Sequence, residues 1–248
     1  MPYTEQTVQT VRPWSDKTFS FTLSRPQDFA FASGEFVTLG LKREGKLIAR
    51  AYSIVSAANE PELEFLSIHV PDGPLTSQLA HVQPGDSVWL NSKPTGSLTL
   101  DHVRPGRVLY MIATGTGLAP FMSLVRDPAT FARFEQAVLV HSVRTEAELA
   151  YRAELESRMN GRFHYVPTVT RESFPTPERG SVLFQSGALA ERLGLPGVDP
   201  EHDRVMICGN PEMTREMTDA LKQNGWTLTN HRGVGNFSTE LAFVTHHT

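Results

Sequence analysis

Apolar and polar residues alternate through much of the first hundred positions, the period expected of half-buried strands. Phe19, Phe21 and Leu23 fall on every second residue, 35–41 reads as an apolar strand, 42–46 with Gly45 as a hairpin turn, and 47–55 as the returning strand. Further strands are expected at 63–70 and 86–91. Between them the turn Pro71, Asp72, Gly73, Pro74 leads into one short helix over 75–81. Six or so short strands spaced by turn residues predict a closed antiparallel β-barrel.

The pattern changes at 101–107, where Pro105 and Gly106 mark a linker, and a division into 1–103 and 104–248 is expected there. A continuous apolar run at 108–113 and strands at 137–142, 164–169 and 205–208 now alternate with helical stretches that reach Val125 and then cover 146–159, 186–193 and 211–224. Strands separated by helices predict an α/β unit, a parallel sheet with helices on both faces. There is no internal repeat.

A length of 248 residues suits two domains. With 40% hydrophobic and 20% charged residues, no bilayer-spanning run and no apolar leader, a soluble cytoplasmic protein is expected, with no membrane contact. A single cysteine, Cys208, excludes an internal disulfide and an iron–sulfur cluster held by four cysteines of this chain. The net charge of −4 carries no basic stripe of the kind nucleic-acid binding requires, and the nine histidines show no metal spacing. From Arg104 onward, however, the cations are fourteen Arg and one Lys, and Arg is the side chain suited to bidentate phosphate contacts.

Chemistry-bearing residues gather at turns. Arg50, Ala51, Tyr52 and Ser53 offer a cation, a flat ring and a hydroxyl, although alternation sends Arg50 and Tyr52 to one face and Ala51 and Ser53 to the other. Alone, such a stretch reads equally as a surface strand anchored by its Tyr. Gly73 to Ser77 enters a short helix, either a simple capped turn or an anion site. Thr114, Gly115, Thr116 and Gly117 leave a buried strand and open a helix, where backbone amides can face a pyrophosphate. Pro120 stands where a dinucleotide fingerprint has its third Gly, so a plain strand-to-helix turn remains open.

After the second parallel strand comes Arg144 in place of the acid that binds an NAD ribose, which favours a 2′-phosphate and hence NADP; Glu135 lies at the wrong end of the strand. Thr170 and Arg171 follow the third strand, with Arg179 nearby, where an open α/β sheet binds its ligands. Cys208 ends the fourth strand as a small buried hydrophobe rather than a nucleophile, and Gly209 lets a flat ring lie close to the backbone.

R-A-Y-S at 50–53, P-D-G-P-L-T-S at 71–77, A-T-G-T-G-L-A-P-F at 113–121, V-T-R-E-S-F at 169–174 and M-I-C-G-N-P at 206–211 occur in one order. In these motifs the chain resembles bacterial ferredoxin/flavodoxin–NADP reductases over nearly its whole length. The resemblance implies an FAD-binding barrel, an NADP-binding domain and a flavin ring between them. It implies that Arg50 pairs with the FAD pyrophosphate, that Tyr52 stacks on the ring, and that Ser53 lies near flavin N5. Ile68, His69 and Val70 would line the cofactor beside Ala51, and Gly73, Leu75, Thr76 and Ser77 would hold its phosphates. Thr116, within Thr114 to Gly117, would approach from the second domain. Arg144, Thr170, Arg171 and Arg179 would hold the NADP phosphate, and Cys208 and Gly209 would border the nicotinamide.

Ala242, Phe243 and Val244 match the family's returning terminus, followed here by Thr245, His246, His247 and Thr248 where a charged ending is expected. His69 stands where relatives are expected to carry Lys. The implied activity is hydride transfer between NADPH and FAD, with Ser53 and Cys208 beside the reacting atoms, coupled to one-electron exchange with ferredoxin or flavodoxin. The partner would bind transiently and electrostatically, and the protein would be a monomer. The reductase component of an oxygenase, or a flavin electron-transfer subunit without turnover, stay open as alternatives.

Overall fold

A computed structural model describes residues 3–242; Phe243 and the residues after it lie outside the described residues. The first half forms β1 (Tyr3–Pro13), β2 (Thr18–Leu23), β3 (Phe36–Arg43), β4 (Lys46–Ser53), β5 (Leu63–Ile68), the single turn α1 (Thr76–Leu79) and β6 (Ser87–Asn91). These strands make one antiparallel sheet in the order β4-β3-β6-β1-β2-β5. Its end strands meet through a bridge between Ile54 and Phe65, which curls the sheet around Phe21, Leu23, Leu39, Leu63 and Phe65.

β1 is absent from the sequence expectation because its residues are mostly polar and exposed. It holds the barrel together by pairing with β6 over Tyr3 to Thr7 and with β2 from Val8 to Pro13, and an irregularity between Val8 and Thr10 lets it bend from one partner to the other. The expected helix over 75–81 is shorter, spanning four residues.

The second half runs β7 (Val108–Thr114), a 3-10 turn (Gly115–Leu118), α2 (Ala119–Arg126), α3 (Pro128–Arg133), β8 (Gln136–Val143), α4 (Arg152–Arg158), β9 (Phe163–Val169), α5 (Gly180–Gln185), α6 (Ala188–Arg192), β10 (Arg204–Gly209), α7 (Pro211–Gln223) and β11 (Phe237–Leu241). The sheet is parallel, in the order β11-β10-β7-β8-β9. Both its faces are buried, one under a cluster with Leu109, Met111 and Leu139, the other under a cluster with Val108, Tyr110 and Val138. That accounts for the unbroken apolar run at 108–113.

The helix expected over 146–159 is split. Glu146–Glu148 forms a 3-10 turn, and Tyr151 adopts a left-handed φ of 59° before α4 begins. Helix α5, α3 and strand β11 are additions to the sequence reading. Val55, Leu66, Leu98 and Val103 join the cluster around Met111, so the barrel packs directly on the second unit through an apolar contact. Among the described residues no helix is long and apolar enough to cross a membrane.

Candidate functional site

A cavity of about 750 Å³ opens where the two halves meet, within the size range of small-molecule sites. Thr18 of β2 and Leu66 and Ile68 of β5 form its barrel wall. Thr114, Gly115, Thr116, Arg144, Thr170, Arg171 and Arg179 line the other side, so eight of the expected residues converge on it.

The three arginines are brought together by backbone stitching at the carboxyl ends of β8 and β9. Arg171 N–H donates to the Arg144 carbonyl at 2.9 Å, and Thr170 N–H donates to the Val143 carbonyl at 3.1 Å. Glu148 is consumed by the same loop, its Oε2 accepting the amides of Arg144 and Thr145 at 3.0 Å each. Arg179 is held by its neighbour: Gly180 N–H donates to Ser142 Oγ at 3.0 Å, and a Cβ on Gly180 would lie 2.4 Å from Val140 Cγ1. Only a glycine lets this loop come so close to β8.

Among the described residues the guanidinium groups of Arg144, Arg171 and Arg179 meet no carboxylate and no carbonyl. By contrast Arg107, Arg126 and Arg152 each hold a carboxylate within 2.8 Å. Three unpaired cations around one cavity make a site for a multiply charged anion. Glu212 and Glu216 of α7 face the same space from another wall.

The floor of the cavity is the turn after β7. Gly115 has a φ of 53°, and its carbonyl accepts from His141 Nε2 at 3.0 Å. His141 is buried, and burial pushes it down to about 4, against smaller opposing effects of this hydrogen bond and the Glu148 charge. It is therefore a neutral donor. Gly117 packs on β10 so tightly that a Cβ would lie 2.4 Å from the Cys208 carbonyl oxygen. Gly209 has a φ of 145°, and Thr114 Oγ1 accepts the next amide, that of Asn210, at 2.7 Å.

Cys208 and Gly209 stand beside this turn but do not line the cavity. The Cys208 side chain lies in the core, and burial, helped by Glu240, pushes its thiol up, so it is protonated. Sequence reasoning missed Glu240, which is in register with Cys208 across β10 and β11. Its Oε1 accepts the backbone amide of Ser97 and, at 3.1 Å, the Ser97 hydroxyl. Burial pushes this carboxyl up, while the Ser97 hydrogen bonds pull it back. Its only sequence signal is one acid in an otherwise uncharged strand.

Most of the remaining expected residues sit on the barrel. Arg50 is exposed, with Nη1 donating only to the Ala49 carbonyl at 2.8 Å; Ala51 beside it is exposed too. Tyr52 is 9% exposed, its hydroxyl 3.4 Å from Ser67 Oγ, and burial raises its pKa while Ser67 and Arg50 lower it. Ser53 pairs with Phe36, whose ring lies 3.5 Å from where a Gly96 Cβ would stand; that same point is 3.0 Å from Glu240 Oε1.

His69 packs edge-on against His81, and Val70 is exposed. In the loop below, the Thr76 and Ser77 hydroxyls turn back to donate to the carbonyls of Val70 and Gly73, at 3.4 and 2.6 Å. Leu75 is in the barrel core and has only its backbone to offer a ligand. Ala242 follows β11, its N–H donating to the Gly209 carbonyl at 3.2 Å, while Phe243 falls outside the described residues. An exposed cation, a ring and hydroxyls on the barrel, beside a cationic cavity between the halves, fit an extended flavin dinucleotide and a second, phosphorylated one.

Two family models match the chain. Residues 7–99 match the oxidoreductase FAD-binding domain family, and residues 111–219 match the oxidoreductase NAD-binding domain family. The chain is 43% identical to ferredoxin–NADP reductase A of Sorangium cellulosum over 252 residues, covering 98% of this chain and 91% of that protein. It is 42% identical to the flavodoxin/ferredoxin–NADP reductase of Rhodobacter capsulatus over 250 residues, 96% of this chain and 93% of that one. The structure of a ferredoxin NADP+ reductase from Neisseria gonorrhoeae with bound FAD and NADP superposes with a TM-score of 0.92 at 32% identity, covering 98% and 100% of the two chains.

Proposed function

Because the chain belongs to the ferredoxin–NADP reductase family, we propose that it transfers hydride between NADPH and bound FAD and exchanges single electrons with ferredoxin or flavodoxin. FAD, when bound, supplies the exchange between two-electron and one-electron chemistry. The observation that carries the reading is the cavity between the halves with three unpaired arginines on its rim.

In this reading Arg144, Arg171 and Arg179, with Thr170, hold the 2′-phosphate, and Thr114 to Gly117 present backbone amides to the rest of the nucleotide. Arg50 offsets the FAD pyrophosphate charge, Tyr52 supplies a flat face, and Gly73, Leu75, Thr76 and Ser77 offer amides and hydroxyls to the phosphates. Ala51, Ile68, His69 and Val70 would line the cofactor, with Ala242 beside them. Ser53 holds a hydrogen bond at flavin N5, and Cys208 and Gly209 border the nicotinamide as a neutral thiol and an open backbone. These residues position and exclude water; none takes up a proton. We assign 1–103 to the flavin unit and 104–248 to the nucleotide unit, in a cytoplasmic monomer that meets its acidic partner transiently.

The test is a visible spectrum of the purified protein, followed by anaerobic titration with NADPH. A yellow protein bleached by NADPH is expected. A colourless chain that takes up no FAD overturns the reading.

A further inference from the structure

Glu64 belongs to β5 and shares a face with Leu66 and Ile68, which with Thr18 form the barrel wall of the cavity. Both of its carboxylate oxygens are taken by the other half of the molecule. Oε2 accepts from Arg126 Nη1 at 2.7 Å, and Oε1 accepts from the Tyr151 hydroxyl at 2.7 Å.

Each partner is tied in turn to the opposite wall. Arg126 ends α2, the helix that begins directly after the Gly115–Leu118 turn. Tyr151 follows Ala150, another cavity residue, and its left-handed backbone turns the ring inward beneath Trp14, with ring centroids 4.5 Å apart. Glu154 of α4 locks the pair by accepting from Arg126 Nε and Nη2 at 2.9 and 2.8 Å.

The halves already pack through an apolar contact and the Ser33–Asp127 and Ser56–Ser123 hydrogen bonds; two contacts on the two oxygens of one carboxylate, from two different segments, add a fixed point at the cavity end of that interface. Burial alone would pull Arg126 down, but Glu154 and Glu64 more than reverse this, and burial with the Glu64 charge raises Tyr151. Arg126 is thus held as a cation and Tyr151 as a protonated donor.

We propose that Glu64, Arg126, Tyr151 and Glu154 form a two-point clamp that fixes the separation of the barrel and α/β walls of the nucleotide cavity, making them positioning residues for hydride transfer. The inference rests on the function proposed above. Transfer over a gap that widens by about 1 Å slows by about a hundredfold, whereas phosphate binding on one wall does not sense the gap.

The test compares Tyr151→Phe and Glu64→Gln with the unaltered protein, all loaded with FAD. Three quantities are measured: the anaerobic rate of flavin reduction by saturating NADPH, the affinity for 2′-phospho-AMP by calorimetry, and the melting temperature. The clamp predicts reduction slowed about tenfold or more in each variant, with 2′-phospho-AMP affinity within twofold. An unchanged reduction rate, or a loss of 2′-phospho-AMP affinity matching the loss of rate, overturns it. Should Glu64→Gln fail to fold, Tyr151→Phe, which removes one hydroxyl, decides alone. An unaltered protein that does not oxidise NADPH overturns the parent reading, and this inference with it.

Discussion

His141 donates from Nε2 to the carbonyl oxygen of Gly115 across 3.0 Å, so a buried ring on β8 supports the turn that floors the nucleotide cavity. Burial holds this histidine at about 4, below the 6.5 at which it titrates in the unfolded chain. Between those values the unfolded state binds more protons. The stability due to the neutral ring is therefore complete above about pH 6.5 and is lost as pH falls toward 4, by about 3 kcal/mol at the limit. Urea unfolding followed against pH measures the slope. His141→Gln, which keeps a donor and cannot titrate, is expected to flatten it over that interval.

Arg171→Ala or Arg179→Ala removes one of the three cations that face the cavity. Hydrogen bonds to charged groups contribute roughly 1.5–3 kcal/mol, so NADPH affinity is expected to fall by about ten- to a hundredfold. NADH, which has no 2′-phosphate, is expected to be used as before. Steady-state kinetics with both nucleotides check this; equal losses for the two would remove the arginines from the phosphate.

A Cβ on Gly209 would lie 2.0 Å from Thr114 Oγ1, on a backbone already at a φ of 145°. Gly209→Ala is expected to cost roughly 1–3 kcal/mol by overpacking, to break the Thr114 bond to the Asn210 amide and to raise the KM for NADPH. Gly115→Ala meets nothing within 4 Å and carries only the strain of its φ of 53°, roughly 1 kcal/mol. Thermal melts of the two variants should rank in that order.

The Cys208 thiol is buried and held protonated. An aromatic disulfide reagent is expected to leave it untouched in the folded protein at pH 8 and to titrate one thiol in urea. Rapid reaction of the folded protein would mean that β10 opens.

The arginine-rimmed cavity was legible because Arg144 and Arg171 follow the second and third parallel strands, with Arg179 a few residues on, and strand carboxyl ends are where an open α/β sheet meets its ligands. Strand β1 was not, since its buried positions are spread among polar neighbours and its role is to pair on both edges. Nor was Tyr151: a left-handed tyrosine inside a helical pattern has no local signature. Glu64 could not have been read at all. Its partners lie 62 and 87 residues away, and only the meeting of two independently folded surfaces brings them into reach.

Strand β5 serves two clients at once. Leu63, Phe65 and Ser67 point into the barrel, where Ser67 meets the Tyr52 hydroxyl, while Glu64, Leu66 and Ile68 face the other half. Inserting one amino acid just ahead of Leu63 would exchange these roles wholesale, driving a carboxylate into the barrel and a phenyl ring toward the nucleotide. Drift in this family should therefore accept substitutions along β5 far more readily than changes in its length.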